Sequence, residues 1–205
     1  MQPTKDDMIR EDILREAQKL FRQFGLRKTT MEDIAKAIGK GKSTLYYYYN
    51  SKEEIFDAVV MKEMEEVFTN VQHAVEKALS AEDKLKAFTL TRIRAVQKKV
   101  TLYRIVNREM QETVHCIKHL HTEYDKRETK LVEHILRFGI QNGEFDKQIG
   151  VELDILPSVM VSSLRGLERD MFTQSKYARL ESRMESIMNI MMRGLKSHPG
   201  KKAIA

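Results

Sequence analysis

Proline, glycine and cysteine are all scarce in this 205-residue chain, which holds three, nine and one of them. Long stretches free of the two strongest helix breakers favour helices throughout. The lone Cys116 excludes an intrachain disulfide and suits a reducing cytosol. No apolar run approaches the roughly 18 residues that a membrane-spanning helix needs. The opening residues, MQPTKDDMIRED, also lack the apolar segment of a signal peptide. A cytoplasmic protein with no membrane partner is therefore expected. Missing too are a nucleophile–base pair, a phosphate-cradling glycine loop and a convincing metal set, so neither an enzyme nor a cofactor is expected. Three histidines crowd around Cys116, and His115 and His119 lie one helical turn apart. Such a pair can bind zinc, but Cys116 and His121 point elsewhere around a helix and no further ligand is apparent. No metal is assigned.

Charge is plentiful. Charged residues make up 32% of the chain and hydrophobic ones 41%, which excludes both a disordered chain and a membrane protein. The net charge of +6 points weakly to a polyanionic partner, and its distribution says more. Between Arg22 and Lys42 stand six basic residues, Arg22, Arg27, Lys28, Lys36, Lys40 and Lys42, against only Glu32 and Asp33. A solvated basic face would look the same. Here, however, the charge coincides with a candidate reading unit.

That unit runs from Thr29 to Phe56. A first helix is predicted over about Asp7 to Gly25, with Ile9, Ile13, Ala17, Leu20, Phe21 and Phe24 as its apolar stripe. Thr30 stands three residues before Asp33, the spacing of a capping box that opens a short second helix. Gly39 stops it, and Lys40 and Gly41 make the turn. A third helix from about Lys42 to Tyr49 carries Leu45 and Tyr49 on one face. Ser51 and Glu54 form a second capping box and launch a fourth helix reaching about Leu79. Two short helices around a tight turn make a helix-turn-helix, whose second helix reads the DNA major groove.

The residue types suit that task. Lys42, Ser43 and Thr44 open the third helix and can reach base edges or phosphates. Thr30 and Lys52 begin the flanking helices, where backbone amides and positive charge favour a phosphate oxygen. Tyr46, Tyr47 and Tyr48 are long, rigid donors for the sugar-phosphate backbone, and three tyrosines in a row cannot all face inward. A plain helical hairpin with an aromatic core is the blander reading.

The segment from about Ile9 to Phe56 resembles the DNA-binding domain of the tetracycline-repressor (TetR/AcrR) family of bacterial regulators. The resemblance rests on Phe21-x-x-Phe24-Gly25, Thr29 to Ala35, Gly39, and Thr44 to Tyr49 followed by Ser51-Lys52-Glu53-Glu54. Gly41 departs from a frequent serine cap and Tyr49 from a frequent phenylalanine, and both substitutes fit physically. The resemblance implies an all-α protein with an N-terminal helix-turn-helix three-helix domain over residues 1–50. A C-terminal helical effector-binding and dimerisation domain over 51–205 would follow, with 51–79 as the connecting helix. It implies a ligand-responsive regulator, most often a repressor, that binds a palindromic double-stranded operator as a homodimer through its last two helices.

The remainder reads as helix with weaker signals. Helices are expected over Ala81 to Lys98, Arg108 to about Gly139, Val151 to Phe172 around Pro157, and Tyr177 to Leu195. The last carries a stripe of Leu180, Met184, Ile187, Met188, Met191 and Leu195. Candidate walls of a pocket for an unidentified small-molecule effector are Phe88, Tyr103, Met110, Val114, Ile117, Tyr124, Met160 and Leu164, each of which reads first as plain core and second as a ligand contact. The competing function is an all-helical dimeric protein-interaction module. Effector, operator sequence and regulated genes are not legible.

Overall fold

A computed structural model of the chain describes residues 4–98, 115–173 and 180–196. Among these residues the structure is all helix, apart from one isolated antiparallel bridge between Phe145 and Lys196. The described residues separate into two compact units. One comprises residues 4–66 and 115–120, and the other 67–98, 121–173 and 180–196.

The first unit begins with α1 (Lys5–Phe24), two residues ahead of the expected start. Its cap explains the difference. Thr4 Oγ1 accepts from the Asp7 amide at 3.1 Å, and the Asp7 carboxylate accepts from the Thr4 amide at 2.9 Å. The Thr4 hydroxyl holds the Asp7 carboxyl below its ordinary value. Next come α2 (Met31–Ala37), α3 (Lys42–Tyr48) and the start of α4 (Lys52–Lys77). Ile13, Ala17 and Phe21 of α1, Ile34 of α2, Leu45 of α3, and Ile55 and Phe56 of α4 are all fully buried. Phe21 and Phe56 meet edge to face at 5.2 Å, an arrangement that aromatic quadrupoles favour. This core contains no charge. Elsewhere in the unit, Arg22 donates to the buried Glu63 carboxylate at 2.8 Å, and Gln18 donates to the same oxygen.

The second unit takes Phe68, Val71 and Val75 from α4. It adds α5 (Ala81–Lys98), α6 (His115–Gln141), a 3-10 turn (Lys147–Glu152), α7 (Leu156–Thr173) and α8 (Leu180–Leu195). Pro157 lies in the first turn of α7, where its missing N–H costs nothing, so the helix begins five residues later than expected. The Asn142-Gly143 turn returns the chain so that Phe145 is buried against Gly139. A β-carbon at Gly139 would collide with the Phe145 ring and stand 2.8 Å from Ala81. Only glycine lets the chain pack so closely there.

The stripe predicted for α8 splits in two. Met184, Met188 and Met192 are buried, Leu195 is partly buried, and Ile187, Ile190 and Met191 face outward. Met192, not Met191, supplies the inward face at that level, because a regular helix carries residues four apart inward together.

Candidate nucleic-acid interface

The reading unit is built from its caps outward. Thr30 Oγ1 accepts from the Asp33 amide at 3.2 Å, and the Asp33 carboxylate accepts from both the Thr30 amide (2.9 Å) and its hydroxyl (2.7 Å). Those bonds hold the Asp33 carboxyl below its ordinary value, with the Thr30 hydroxyl as the chief cause. The turn after α2 closes on Gly39, whose φ of 65° lies in the left-handed region. The Lys40 amide returns to the Ala35 carbonyl at 3.0 Å. Gly41 then caps α3 through its backbone alone.

Helix α3 is seven residues long and presents two sides. Leu45 is fully buried, and Tyr49, just past the helix end in extended backbone, is 7% exposed. Burial raises the Tyr49 phenol above its usual range. Lys42, Ser43, Tyr46 and Tyr47 are exposed, Tyr47 by 77%, while Thr44 and Tyr48 are half-buried. The Lys42 ammonium rests 5.8 Å from the centre of the Tyr46 ring. On α2, Ile34 is fully buried, and Ile38 just past its end is partly buried.

Two side chains are placed in ways the sequence did not foretell. The Lys52 ammonium donates to three carbonyls, those of Leu26 (2.9 Å), Thr29 (3.0 Å) and Arg27 (3.1 Å). An ammonium has three N–H bonds, and all are committed to tying the loop before α2. At the start of α4 the Ser51 hydroxyl caps the Glu54 amide at 3.1 Å, as its spacing implies. The Glu54 carboxylate, however, accepts from the amide of Asn50 (2.7 Å) rather than that of Ser51.

The candidate effector walls lie in the second unit, as far as they are described. Phe88 and Leu164 are buried, and Tyr124 and Met160 are partly buried. Tyr103, Met110 and Val114 lie outside the described residues, as does the side chain of Ile117. The same holds for the side chains of His115, Cys116, His119 and His121. Among the described residues no group of three or more potential ligands is placed to hold a metal. No described helix is long and apolar enough to cross a membrane.

One turn beyond three of those walls stands a buried ionic cluster. Arg92 follows Phe88, Glu128 follows Tyr124, and Glu168 follows Leu164, each by four residues. Arg92 Nε and Nη2 donate to the two Glu168 oxygens at 2.6 and 3.0 Å, and Nη1 donates to Glu128. All three side chains are at most 8% exposed. Burial pushes the Glu128 carboxyl up to about 7 despite the Arg92 charge that opposes the rise. Arg165 pairs with Asp125 beside them. The only sequence signal for this cluster is a charged residue continuing each apolar stripe at helical spacing.

Two short helices around a glycine turn, the second buried through Leu45 and rowed with Lys, Ser, Thr and Tyr on its outer side, form a helix-turn-helix unit. Residues 13–59 match the family model described as bacterial regulatory proteins, tetR family. The transcriptional repressor KstR2 of Rhodococcus jostii is 29% identical over 149 residues, which cover 70% of this chain and 71% of that protein. The regulator YhgD of Bacillus subtilis is 39% identical over 67 residues, 33% of this chain and 35% of that one. A transcriptional regulator from Cytophaga hutchinsonii superposes with a TM-score of 0.76 at 26% identity, covering 91% of this chain and 98% of that one. Residues 13–59 are thus a DNA-binding domain of the tetR type, and over most of its length the chain is similar to DNA-binding transcriptional regulators. The family consists of such regulators rather than enzymes, and the interaction-module alternative is set aside.

Proposed function

We propose that the protein is a cytoplasmic repressor that binds a palindromic operator as a homodimer and leaves it when a small molecule occupies the second unit. The observation that carries this reading is the row of exposed polar side chains on α3, opposite Leu45 and Tyr49 in the core. Lys42, Ser43 and Thr44 enter the major groove at the helix's N-terminal end, where such helices meet base edges. Tyr46, Tyr47 and Tyr48 contact the sugar-phosphate backbone on one side, and Thr30 on the other. Lys52 contributes by fixing the loop before α2 and by its charge.

The dimer is supported by α7 and α8. Val159, Ile187, Ile190 and Met191 are 50%, 36%, 64% and 54% exposed, an apolar surface that a second copy would cover. Ser162, Ser163 and Gly166 on α7 are exposed and small, so a partner helix can approach closely. A symmetric pair would carry two reading helices to half-sites of a palindrome. The sign of regulation follows the similar repressor KstR2. Phe88, Tyr124, Met160 and Leu164 would line the effector site. The effector acts through α4 by differing in affinity for the bound and released states.

The test is binding to a palindromic fragment from upstream of the protein's own gene, measured as a function of salt. Wild-type dimer should bind with an affinity that falls steeply as salt rises. The double substitution Thr44→Ala, Tyr46→Ala should abolish binding while leaving the dimer and its melting unchanged. Equal binding by that variant overturns the reading.

A further inference from the structure

The third tyrosine of the row differs from its neighbours. Tyr48 Oη donates to Asp6 Oδ1 at 2.8 Å, joining the last residue of α3 to the first turn of α1. Its ring is held on two sides. The Arg10 guanidinium lies over it at 5.3 Å from the ring centre, and the Tyr47 ring meets it edge to face at 5.0 Å. With the ring fixed, the remaining freedom is rotation of the hydroxyl proton about the C–O bond.

A phenol has one proton to give. Phosphate oxygens between nucleotides accept hydrogen bonds and never donate. While the Tyr48 proton points at Asp6, an approaching phosphate finds no donor on this hydroxyl and meets the Asp6 carboxylate beside it, although the Arg10 guanidinium lies over the ring. The two acidic residues of this first turn are not equivalent. Asp7 is consumed by the capping box with Thr4, whereas Asp6 holds the tyrosine. The helix start needs only one of them to be capped, so the second carboxylate is not required by α1 itself.

We propose that Asp6 competes with the operator backbone for the Tyr48 hydroxyl, so that DNA binding requires this intramolecular bond to be exchanged. Asp6 is thus a positioning residue that lowers affinity for every DNA, and Tyr48 is the residue it acts through. The inference rests on the reading above that α3 faces the operator.

A four-protein cycle on the full-length dimer tests it: wild type, Asp6→Ala, Tyr48→Phe and the double variant, each titrated against the palindromic fragment. Measurement at about 0.3 M salt confines the effect of an exposed charge to a few ångström. Asp6→Ala should bind roughly three- to tenfold more tightly than wild type, the size of one hydrogen bond regained. The gain should vanish in the Tyr48→Phe background. Asp6→Asn, which keeps an acceptor without the charge, should fall between and guards against a fold defect in the alanine variant. A gain of the same size in the Tyr48→Phe background overturns the inference, since Asp6 would then act only as a charge. A loss of affinity in Asp6→Ala also overturns it, because the bond would then hold Tyr48 in its productive pose. Both results leave wild-type binding, and hence the operator reading, intact. Failure of the wild type to bind any palindrome overturns the operator reading itself.

Discussion

The two units of this protein bury their charges to different extents. In the first, the core of Ile13, Phe21, Ile34, Leu45 and Phe56 is apolar, and the buried Glu63 carboxylate is met by Arg22, whose side chain is 41% exposed. In the second, Arg92, Glu128 and Glu168 are buried beside an otherwise similar core of Phe88, Ile135 and Leu164. An apolar core gives stability without conditions. A buried ion cluster costs desolvation, returns it only if every partner is present, and responds to protonation. The difference is one of degree: the first unit's buried carboxylate keeps a cation at the surface, whereas the second unit encloses its cation together with two carboxylates.

The largest test of that contrast is Arg92→Ala. Removing the shared cation strands the buried Glu168 carboxylate and leaves Glu128 only the more distant Arg165 at 3.9 Å, so the second unit should lose about 3–5 kcal/mol by denaturant unfolding. A loss below about 1 kcal/mol would show that water already reaches the cluster. Next comes Glu128→Gln, which reads the conditionality directly. The folded Glu128 carboxyl sits at about 7, above its ordinary 4.5, so the folded chain keeps a proton that the unfolded chain releases between those values. Stability therefore falls as pH rises through that window, and the deficit is complete above it. Glutamine removes the deficit, so the variant should be more stable than wild type at about pH 8, by at most about 3 kcal/mol. Near pH 4 the two should match. Equal unfolding midpoints at about pH 8 would remove the contrast with the first unit. The smallest effect belongs to the reading unit. Thr30→Ala deletes the cap of α2 and should cost about 1 kcal/mol, with no change between about pH 5 and 8.

Local features of the reading unit were legible in the sequence, and pairings between distant residues were not. The Thr30–Asp33 box, the stop at Gly39 and the burial of Leu45 and Tyr49 all follow from spacing within one or two turns. The same kind of signal stands at Thr4–Asp7, ahead of the apolar stripe that marks α1, which is why the helix starts earlier than the stripe implies. By contrast, Arg92 meets partners 36 and 76 residues away, and nothing local to any of the three identifies the others. Tyr48 and Asp6 are 42 residues apart, so an outward tyrosine could be predicted but not its acceptor. The α8 stripe was legible as apolar. Which of its residues face inward depends on the neighbouring helices, as Met192 and Met191 show.

The tie made by Lys52 bears on which exchanges of residue the chain can tolerate. Three carbonyls from Leu26, Arg27 and Thr29 converge on one nitrogen, a demand for donors spread in three dimensions from a single point. Arginine keeps the charge but spreads its donors in a plane across a wider group. At most surface sites lysine and arginine trade places freely. At position 52 the exchange is a change of shape, and the loop that leads into the reading helices would have to be rebuilt around it.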